Sequence, residues 1–280
     1  MIQLTYNEGC RLGNRLYMYA AGRLLAQELG LAMSPAPLDG FPRTGETVEG
    51  KLVEGPVENV SGADPIPSWP NVDHLRNKRI EIEHGFVNSR YFMRDRYLIK
   101  SWLSGAQTYQ ADPGSVLVNV RLREFVGLGL VLHPYYYTSV LERMRFRKLY
   151  LMTDEPGSPY LGFLSKYNPE IITGFGPEHF FKALAFRRIV MSNSTFCWWF
   201  TFLSDAHEIY MPMLNGNRCG SWCLDHLPSI DLRMDLPGVT HVYNVPNDGP
   251  LPMCLGPTEE QRSEAMSYGR NSKAIILEPM

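Results

Sequence analysis

The sequence predicts an α/β protein whose second half forms a parallel, doubly wound sheet. Short apolar runs of buried-strand length alternate with stretches of helical spacing between residues 116 and 211. Gly, Pro, Asn and Asp residues punctuate these runs where turns are needed. Strands that alternate with helices in this way pack as a parallel sheet covered on both faces. The first half of the chain shows a weaker α/β pattern.

The first half is predicted to contain one strong helix and a few short strands. Apolar residues at helical spacing predict the helix at residues 16–29, and residues 35–75 are rich in Pro, Gly and acidic residues. The remaining elements are strands at residues 2–6 and 79–83 and an aromatic-rich helix at residues 88–103.

The second half begins after a linker at residues 104–114 that contains Gly, Asp and Pro. The linker predicts two domains, residues 1–112 and residues 113–280, the latter with a C-terminal tail. The strands of the second domain are predicted at residues 116–120, 149–153, 171–173, 189–192 and 209–211, and its helices at residues 134–145, 159–167, 178–185 and 195–204. Ligands of such sheets bind beyond the carboxyl ends of the strands, so residues that follow strands are the candidates for function.

Composition excludes several classes of partner and favours a reducing compartment. The formal net charge of -2 gives no overall attraction to nucleic acid or to an anionic membrane. No apolar run approaches the roughly 20 residues of a membrane-spanning helix, and the amino terminus is unlike a secretory signal. Five cysteines predict no disulfide framework, so we expect a cytoplasmic protein. Cys219 and Cys223 with His226 lack the spacing and the second pair of a zinc site, so no metal is expected.

The segment Ser192–Trp199, which reads S-N-S-T-F-C-W-W, follows a predicted strand and opens a predicted helix. The free N–H groups of a helix's first turn, helped by the helix dipole, form a natural phosphate site at such a junction. Capping alone explains the Ser, Asn and Thr residues equally well. In that alternative Trp198 and Trp199 are simply core residues.

Two further segments also lie at predicted strand ends. Arg121 follows a buried strand in Asn119–Glu124, where its guanidinium could grip a diphosphate through two parallel hydrogen bonds. Its alternative is a surface Arg in an ordinary loop. In Cys10–Leu16, a predicted strand-to-helix turn, Gly13 would admit a ligand close to the backbone and Asn14 could donate or accept hydrogen bonds. A purely structural turn is the alternative there.

The absence of three phosphate-binding motifs restricts the ways in which the chain could bind an anion. The chain has neither G-x-G-x-x-G nor G-x-x-x-x-G-K-[ST], so dinucleotide and P-loop sites are not favoured. It also has no Asp-x-Asp, so a diphosphate bridged by Mg²⁺ or Mn²⁺ has no obvious anchor. Neutralisation by Arg and helix N–H groups is the simpler arrangement.

Together the three segments resemble the GDP-fucose-dependent fucosyltransferases, most closely the alpha-1,2-fucosyltransferase family. That family has a G-x-L-G-N-Q segment, resembled by Cys10–Arg15, and an H-x-R-R-G-D strand end, resembled by Asn119–Glu124. Its S-N-S-[ST]-F-S-W-W junction is matched by Ser192–Trp199 with Cys197 as the one change. The order and spacing of the three segments agree from residue 9 to residue 205.

The resemblance implies a metal-independent glycosyltransferase of the GT-B architecture, with two Rossmann-like domains facing across a cleft. The N-terminal domain would lie on the acceptor side, and the C-terminal domain would bind the nucleotide-sugar. Arg121 would hold the β-phosphate, Asn14 would reach across the cleft, and Glu178 would accept hydrogen bonds from guanine. The full donor-binding set implied is Gly13, Asn14, Arg121, Arg123, Asp154, Glu178, Ser192, Asn193, Ser194, Thr195 and Phe196.

The resemblance also implies a reaction, the transfer of L-fucose from GDP-fucose to a hydroxyl of a glycan acceptor. Arg121 and Asn14 would act on the donor, and Glu124 is the nearest candidate for a general base, although it could equally orient Arg121. The chain departs from the family's motifs at Asn119 for His, Leu122 for Arg, Arg123 for Gly, Glu124 for Asp and Arg15 for Gln. These changes keep two alternatives open: a non-catalytic nucleotide- or carbohydrate-binding relative, and a transferase using another nucleotide-sugar.

Overall fold

The structure is a computed structural model that describes residues 1–7, 10–60, 72–82, 89–105, 109–128, 131–132, 134–173, 176–214, 232, 234, 236 and 239–245. It is an α/β protein with two sheets, and every described strand pair in them is parallel. The predicted class is therefore confirmed. The candidate zinc residues Cys219, Cys223 and His226 and the C-terminal tail beyond residue 245 lie outside the described residues.

The chain divides into two compact units, the first made of Met1–Ala106 with Leu224–Leu232 and the second of Gln107–Cys223 with Arg233–Met280. The first unit holds a three-stranded sheet in the order β1-β3-β2. Its strands are β1 (Ile2–Leu4), β2 (Val57–Val60) and β3 (Arg79–Ile82), its helices are α1 (Leu12–Leu29) and α2 (Arg96–Trp102), and its 3₁₀ turns are Pro42–Gly45, Asp73–Leu75 and Ser89–Tyr91. The assignment of the units to acceptor and donor sides stays a prediction.

Helix α1 begins at Leu12, whereas the sequence pattern predicts a start at residue 16. Its buried residues include Gly13 and continue around most of the helix, so packing extends the helix beyond the stretch that shows clear periodicity. Gly30 ends it with φ of 63°, a left-handed conformation that glycine adopts without strain. Gly13 and Asn14 therefore lie in the first helical turn, and the predicted strand-to-helix turn at these residues is wrong.

The predicted helix at residues 88–103 is broken into a 3₁₀ turn and the shorter helix α2. Phe92, which is completely buried, lies between them, and its ring packs 5.4 Å from the ring of Tyr17. The Ser89 carbonyl accepts hydrogen bonds from the N–H groups of both Phe92 and Met93. Tertiary packing of Phe92 thus favours tight turns over a continuous helix.

The second unit holds a six-stranded sheet in the order β6-β5-β4-β7-β8-β9, which is compatible with a Rossmann-like fold. The chain runs outward from β4 to β6 and then returns to place β7 on the other side of β4. The strands are β4 (Ser115–Val120), β5 (Lys148–Thr153), β6 (Glu170–Thr173), β7 (Arg188–Val190), β8 (Glu208–Leu214) and β9 (Thr240–Val245). The helices are α3 (Arg123–Leu128), α4 (Pro134–Leu141), α5 (Pro177–Ala183) and α6 (Thr195–Leu203), with a 3₁₀ helix at Pro159–Tyr167.

Several features of this unit differ from the sequence pattern. Helix α3 was not predicted, and helix α4 ends at Leu141 instead of residue 145. Strand β9 was not predicted, because its T-H-V-Y-N-V sequence mixes polar and apolar residues and forms neither an apolar run nor a regular alternation. The predicted helix at residues 159–167 is 3₁₀, a geometry that aligns residues three apart. It brings Tyr160 and Phe163 together at 5.2 Å, and Phe163 then stacks on Tyr137 at 5.7 Å.

Helix α6 is apolar on all sides and lies in the core, with every residue from Phe196 to Leu203 buried. Trp198 stacks on Phe202 at 4.6 Å, and Phe196 meets Phe180 of α5 at 5.6 Å. The packing holds the start of α6 in place just beyond the end of β7. Among the described residues, no helix combines the length and apolarity that crossing a membrane requires.

Candidate functional site

The candidate site lies at the carboxyl edge of the second sheet, between its two central strands. Because β4, β5 and β7 are parallel neighbours, the residues after each strand emerge at the same edge. Arg121 follows β4, Asp154 follows β5 and Ser192 follows β7. From β4 the chain adds strands toward one edge of the sheet, and from β7 it adds them toward the other edge. Ligands of doubly wound sheets bind at the switch point between two such strands.

Arg121 lies in a buried ion-pair network. Its side chain is 8% exposed, and Nη1 is 2.6 Å from Asp154 Oδ2. Nη2 pairs with Glu124 Oε1 one turn later in the chain. The guanidinium carbon also lies 5.6 Å from the centre of the Phe125 ring. Arg121 is therefore neither a free surface residue nor an uncompensated cation.

Asp154 holds the turn between β4 and α3 against the end of β5. Its side chain is fully buried, and its Oδ1 accepts a hydrogen bond of 2.8 Å from the Leu122 N–H. Its backbone carbonyl accepts a second, of 3.0 Å, from Arg123 Nε. Burial raises the pKa of Asp154, while the Arg121 charge and the Leu122 N–H act in the opposite direction. Asp154 thus orients Arg121, which the sequence alone does not indicate.

Asn119 joins three strand ends through its fully buried side chain. Its Nδ2 donates to the Met152 carbonyl at 3.3 Å, and its Oδ1 accepts from Ser192 Oγ at 2.5 Å. Sequence reasoning treated Asn119 only as a departure from the family's His. The sequence did contain a signal for its role. All residues of β4 are buried, and an amide side chain in such a strand needs hydrogen-bond partners.

The hydrogen bond between Asn119 and Ser192 forms a bridge between β4 and the segment after β7, and Cys197 connects this bridge to helix α6. Burial raises the pKa of the Cys197 thiol to about 12, although hydrogen bonds with Ser192 and Thr201 act to lower it. The Cys197 sulfur lies 3.9 Å from Thr201 Oγ1. A thiol in this environment is protonated and structural, so Cys197 belongs to the support of the site.

The first turn of α6 retains the features of an anion site. Ser194 is the N-cap residue, with extended φ and ψ of -101° and 136°, yet its side chain makes no capping hydrogen bond. No acidic residue occupies the first turn, and Thr195 is partly exposed. Ser192 and Asn193 are almost completely buried, so they form the base of this turn. The arrangement suits an anion placed against the Thr195 end of the helix.

The remaining predicted residues are placed differently. Arg123 is largely exposed and lies 3.7 Å from Glu155, so its charge is partly compensated as well. Glu178 is the second residue of α5, its side chain is 86% exposed, and its described ion pair is with His179 at 3.6 Å. Gly176, and not Glu178, is the N-cap of α5. Gly13 and Asn14 belong to the first unit, and their part in donor binding stays a prediction.

Comparison with protein-family models and with curated proteins finds no match for this chain. Within the described residues, no group of three or more His, Cys, Asp and Glu side chains could hold a metal ion. The candidate site is thus defined by its own geometry and by the two sequence segments that meet there, Asn119–Glu124 and Ser192–Trp199.

The bridge between Asn119 and Ser192 can be tested by a double-mutant cycle. Asn119→Ala and Ser192→Ala each leave a buried polar group without its partner, so each should lower the free energy of unfolding by about 1–3 kcal/mol. The double variant should lose less than the sum, because the second change removes a group that is already unpaired. Urea denaturation of the four proteins measures the coupling.

Ser115→Ala is the matched control, since Ser115 lies at the opposite end of β4 and its hydroxyl donates to the Asp112 carbonyl at 2.5 Å. At about 13 Å from Asn119 along the strand, its effect should simply add to that of Asn119→Ala. Simple additivity for Asn119 and Ser192 as well would contradict the bridge.

Proposed function

We propose that this protein is a glycosyltransferase that moves L-fucose from GDP-fucose to a hydroxyl of a glycan acceptor. One observation carries the proposal: the Arg121 segment and the Ser192–Trp199 segment meet at the switch point of the sheet. Ser192 and Asn119 are 73 positions apart in the chain, yet their side chains are hydrogen-bonded. Two segments that both resemble donor-binding motifs have to meet in this way to form one site.

The proposal includes the GT-B arrangement, with two Rossmann-like domains facing across a cleft. The strand order of the second unit supports its role as the nucleotide-sugar domain. The first unit, with its parallel sheet and the helix that carries Gly13 and Asn14, would then be the acceptor-side domain. Asn14 would contribute to the donor phosphates or sugar from there.

The proposed chemistry is departure of a nucleoside diphosphate from a sugar that gains oxocarbenium character. Negative charge grows on the leaving phosphate, and fixed donors aimed at it stabilise the transition state most. Arg121, held by Asp154, and the first turn of α6, held by core packing, are such donors. Glu124 is the candidate base because its carboxylate is partly exposed. No divalent metal is part of the proposal.

A non-catalytic nucleotide-binding relative is the second candidate. Leu122 stands where the resembled family has its second Arg, and its side chain is buried in the core cluster. The site therefore has one cation fewer to stabilise a leaving diphosphate. A transferase that uses another nucleotide-sugar would share the same phosphate contacts and differ in its contacts with the base and the sugar.

Calorimetric titration in the presence of EDTA, paired with assays of donor hydrolysis and transfer, tests the proposal. We expect binding of GDP and GDP-fucose, weaker binding of UDP, and turnover of GDP-fucose without added metal. Binding without turnover for any donor would support the non-catalytic relative. Turnover of GDP-mannose or a UDP-sugar instead would change the donor, and absence of binding to all of them would overturn the proposal.

Arg121→Lys tests the phosphate contact more cleanly than Arg121→Ala. Alanine would leave Asp154 a buried, unpaired carboxylate, which typically costs about 3–5 kcal/mol of folding free energy. Lysine keeps the charge but lacks the several N–H donors that the planar guanidinium holds in a fixed geometry. We therefore expect GDP affinity to fall about tenfold. Arg188→Lys is the control, because Arg188 pairs with Glu208 at 3.1 Å and opens β7 at the amino edge. Equal effects of the two variants would contradict the assignment.

Thr195→Glu tests the first turn of α6. A carboxylate at this position is favourable to the helix dipole but repels a bound phosphate. We expect an unchanged or slightly higher melting temperature and a loss of GDP affinity of at least about tenfold by calorimetry. Thr195→Gln, which has the same size without the charge, should retain most of the affinity. If the Glu variant binds GDP normally, the anion does not lie at this turn.

A further inference from the structure

The two carboxylates that hold Arg121 differ in their access to solvent. The Asp154 side chain is fully buried, whereas the Glu124 side chain is 34% exposed. Asp154 is also tied to the Leu122 N–H, so it belongs to the framework of the sheet edge. Glu124 is therefore the partner that an anion approaching Arg121 from solvent would meet.

The charges around Arg121 oppose the entry of an anion. Two carboxylates share one guanidinium, and the neighbouring Arg123 has its own partner in Glu155. Leu122, between the two arginines, is apolar and buried. A phosphate that arrived while Glu124 remained in place would face a carboxylate at close range in a partly buried site, where screening by water is weak.

We propose that Glu124 occupies the position on Arg121 that the donor's phosphate takes on binding. The need to displace Glu124 then sets the affinity of the site for a diphosphate. Glu124 pairs with Arg121 while the site is empty, and it leaves the guanidinium when a diphosphate takes its place. The Glu124 side chain rotates away, and the ion pair between Arg121 and Asp154 is kept as the charge balance of the framework. The inference rests on the proposed function, in which Arg121 contacts the diphosphate.

The experiment compares the wild type with Glu124→Gln and with Glu155→Gln as the matched control. Both changes remove one carboxylate at the same sheet edge, but Glu155 pairs with Arg123 and has no ion pair with Arg121. Each protein is titrated with GDP and with inorganic pyrophosphate, which excludes recognition of the base. Glu124→Gln should bind both ligands at least about fivefold more tightly, and Glu155→Gln should stay within about twofold of the wild type.

Each outcome decides between the two claims. If the wild type binds GDP and Glu124→Gln binds it no more tightly, the inference about Glu124 is overturned and the proposed function stays intact. An equal gain in Glu155→Gln would show general charge reduction and would also overturn it. No binding of either ligand by any of the proteins would remove both the inference and the proposed function. Glu124→Ala, checked by its melting temperature, should reproduce the gain if Glu124→Gln folds poorly.

Discussion

The buried ion pair between Arg121 and Asp154 is the constraint on which the edge of the second sheet depends. A charge without water around it needs a partner of opposite sign, and the parallel pairing of β4 with β5 brings the two residues to the same edge. The Leu122 N–H donates a hydrogen bond to the other oxygen of the Asp154 carboxylate and sets the direction in which the chain leaves β4. The position of helix α3, and with it that of Glu124, follows from this pair.

A second polar contact fixes the other side of the β4 end, against the segment that follows β7. The hydrogen bond between Asn119 and Ser192 joins β4 to the junction before α6, and the aromatic residues of α6 hold the helix in the core. Both contacts occur at the switch point, beside the completely buried strand β4. Polar groups that are paired in such buried surroundings favour one arrangement of the chain over others. A site built on them has little need to reorganise.

If the proposed function holds, this arrangement would let the chain depart from the fucosyltransferase motifs and still keep a site at the same edge of the sheet. Leu122 contributes to the core, and Arg123 turns toward the Asp154 carbonyl and Glu155. The remaining cation is fully engaged by side chains of the protein itself. Under the proposed function, recognition of an anion here would be an exchange of partners on Arg121, and its strength would depend on the carboxylate that is released.

The sequence by itself determined the α/β class and the positions of most strands in the second unit, because buried parallel strands appear as uninterrupted apolar runs. It also indicated the start of α6 at Thr195, since a strand, a run of small polar residues and an apolar helix follow one another directly. Only the tertiary structure decided the true start of α1, the edge strand β9 with its mixed polar and apolar sequence, and the partners of Arg121. Helix ends, edge strands and ion pairs depend on contacts between distant segments, which local pattern and composition do not encode.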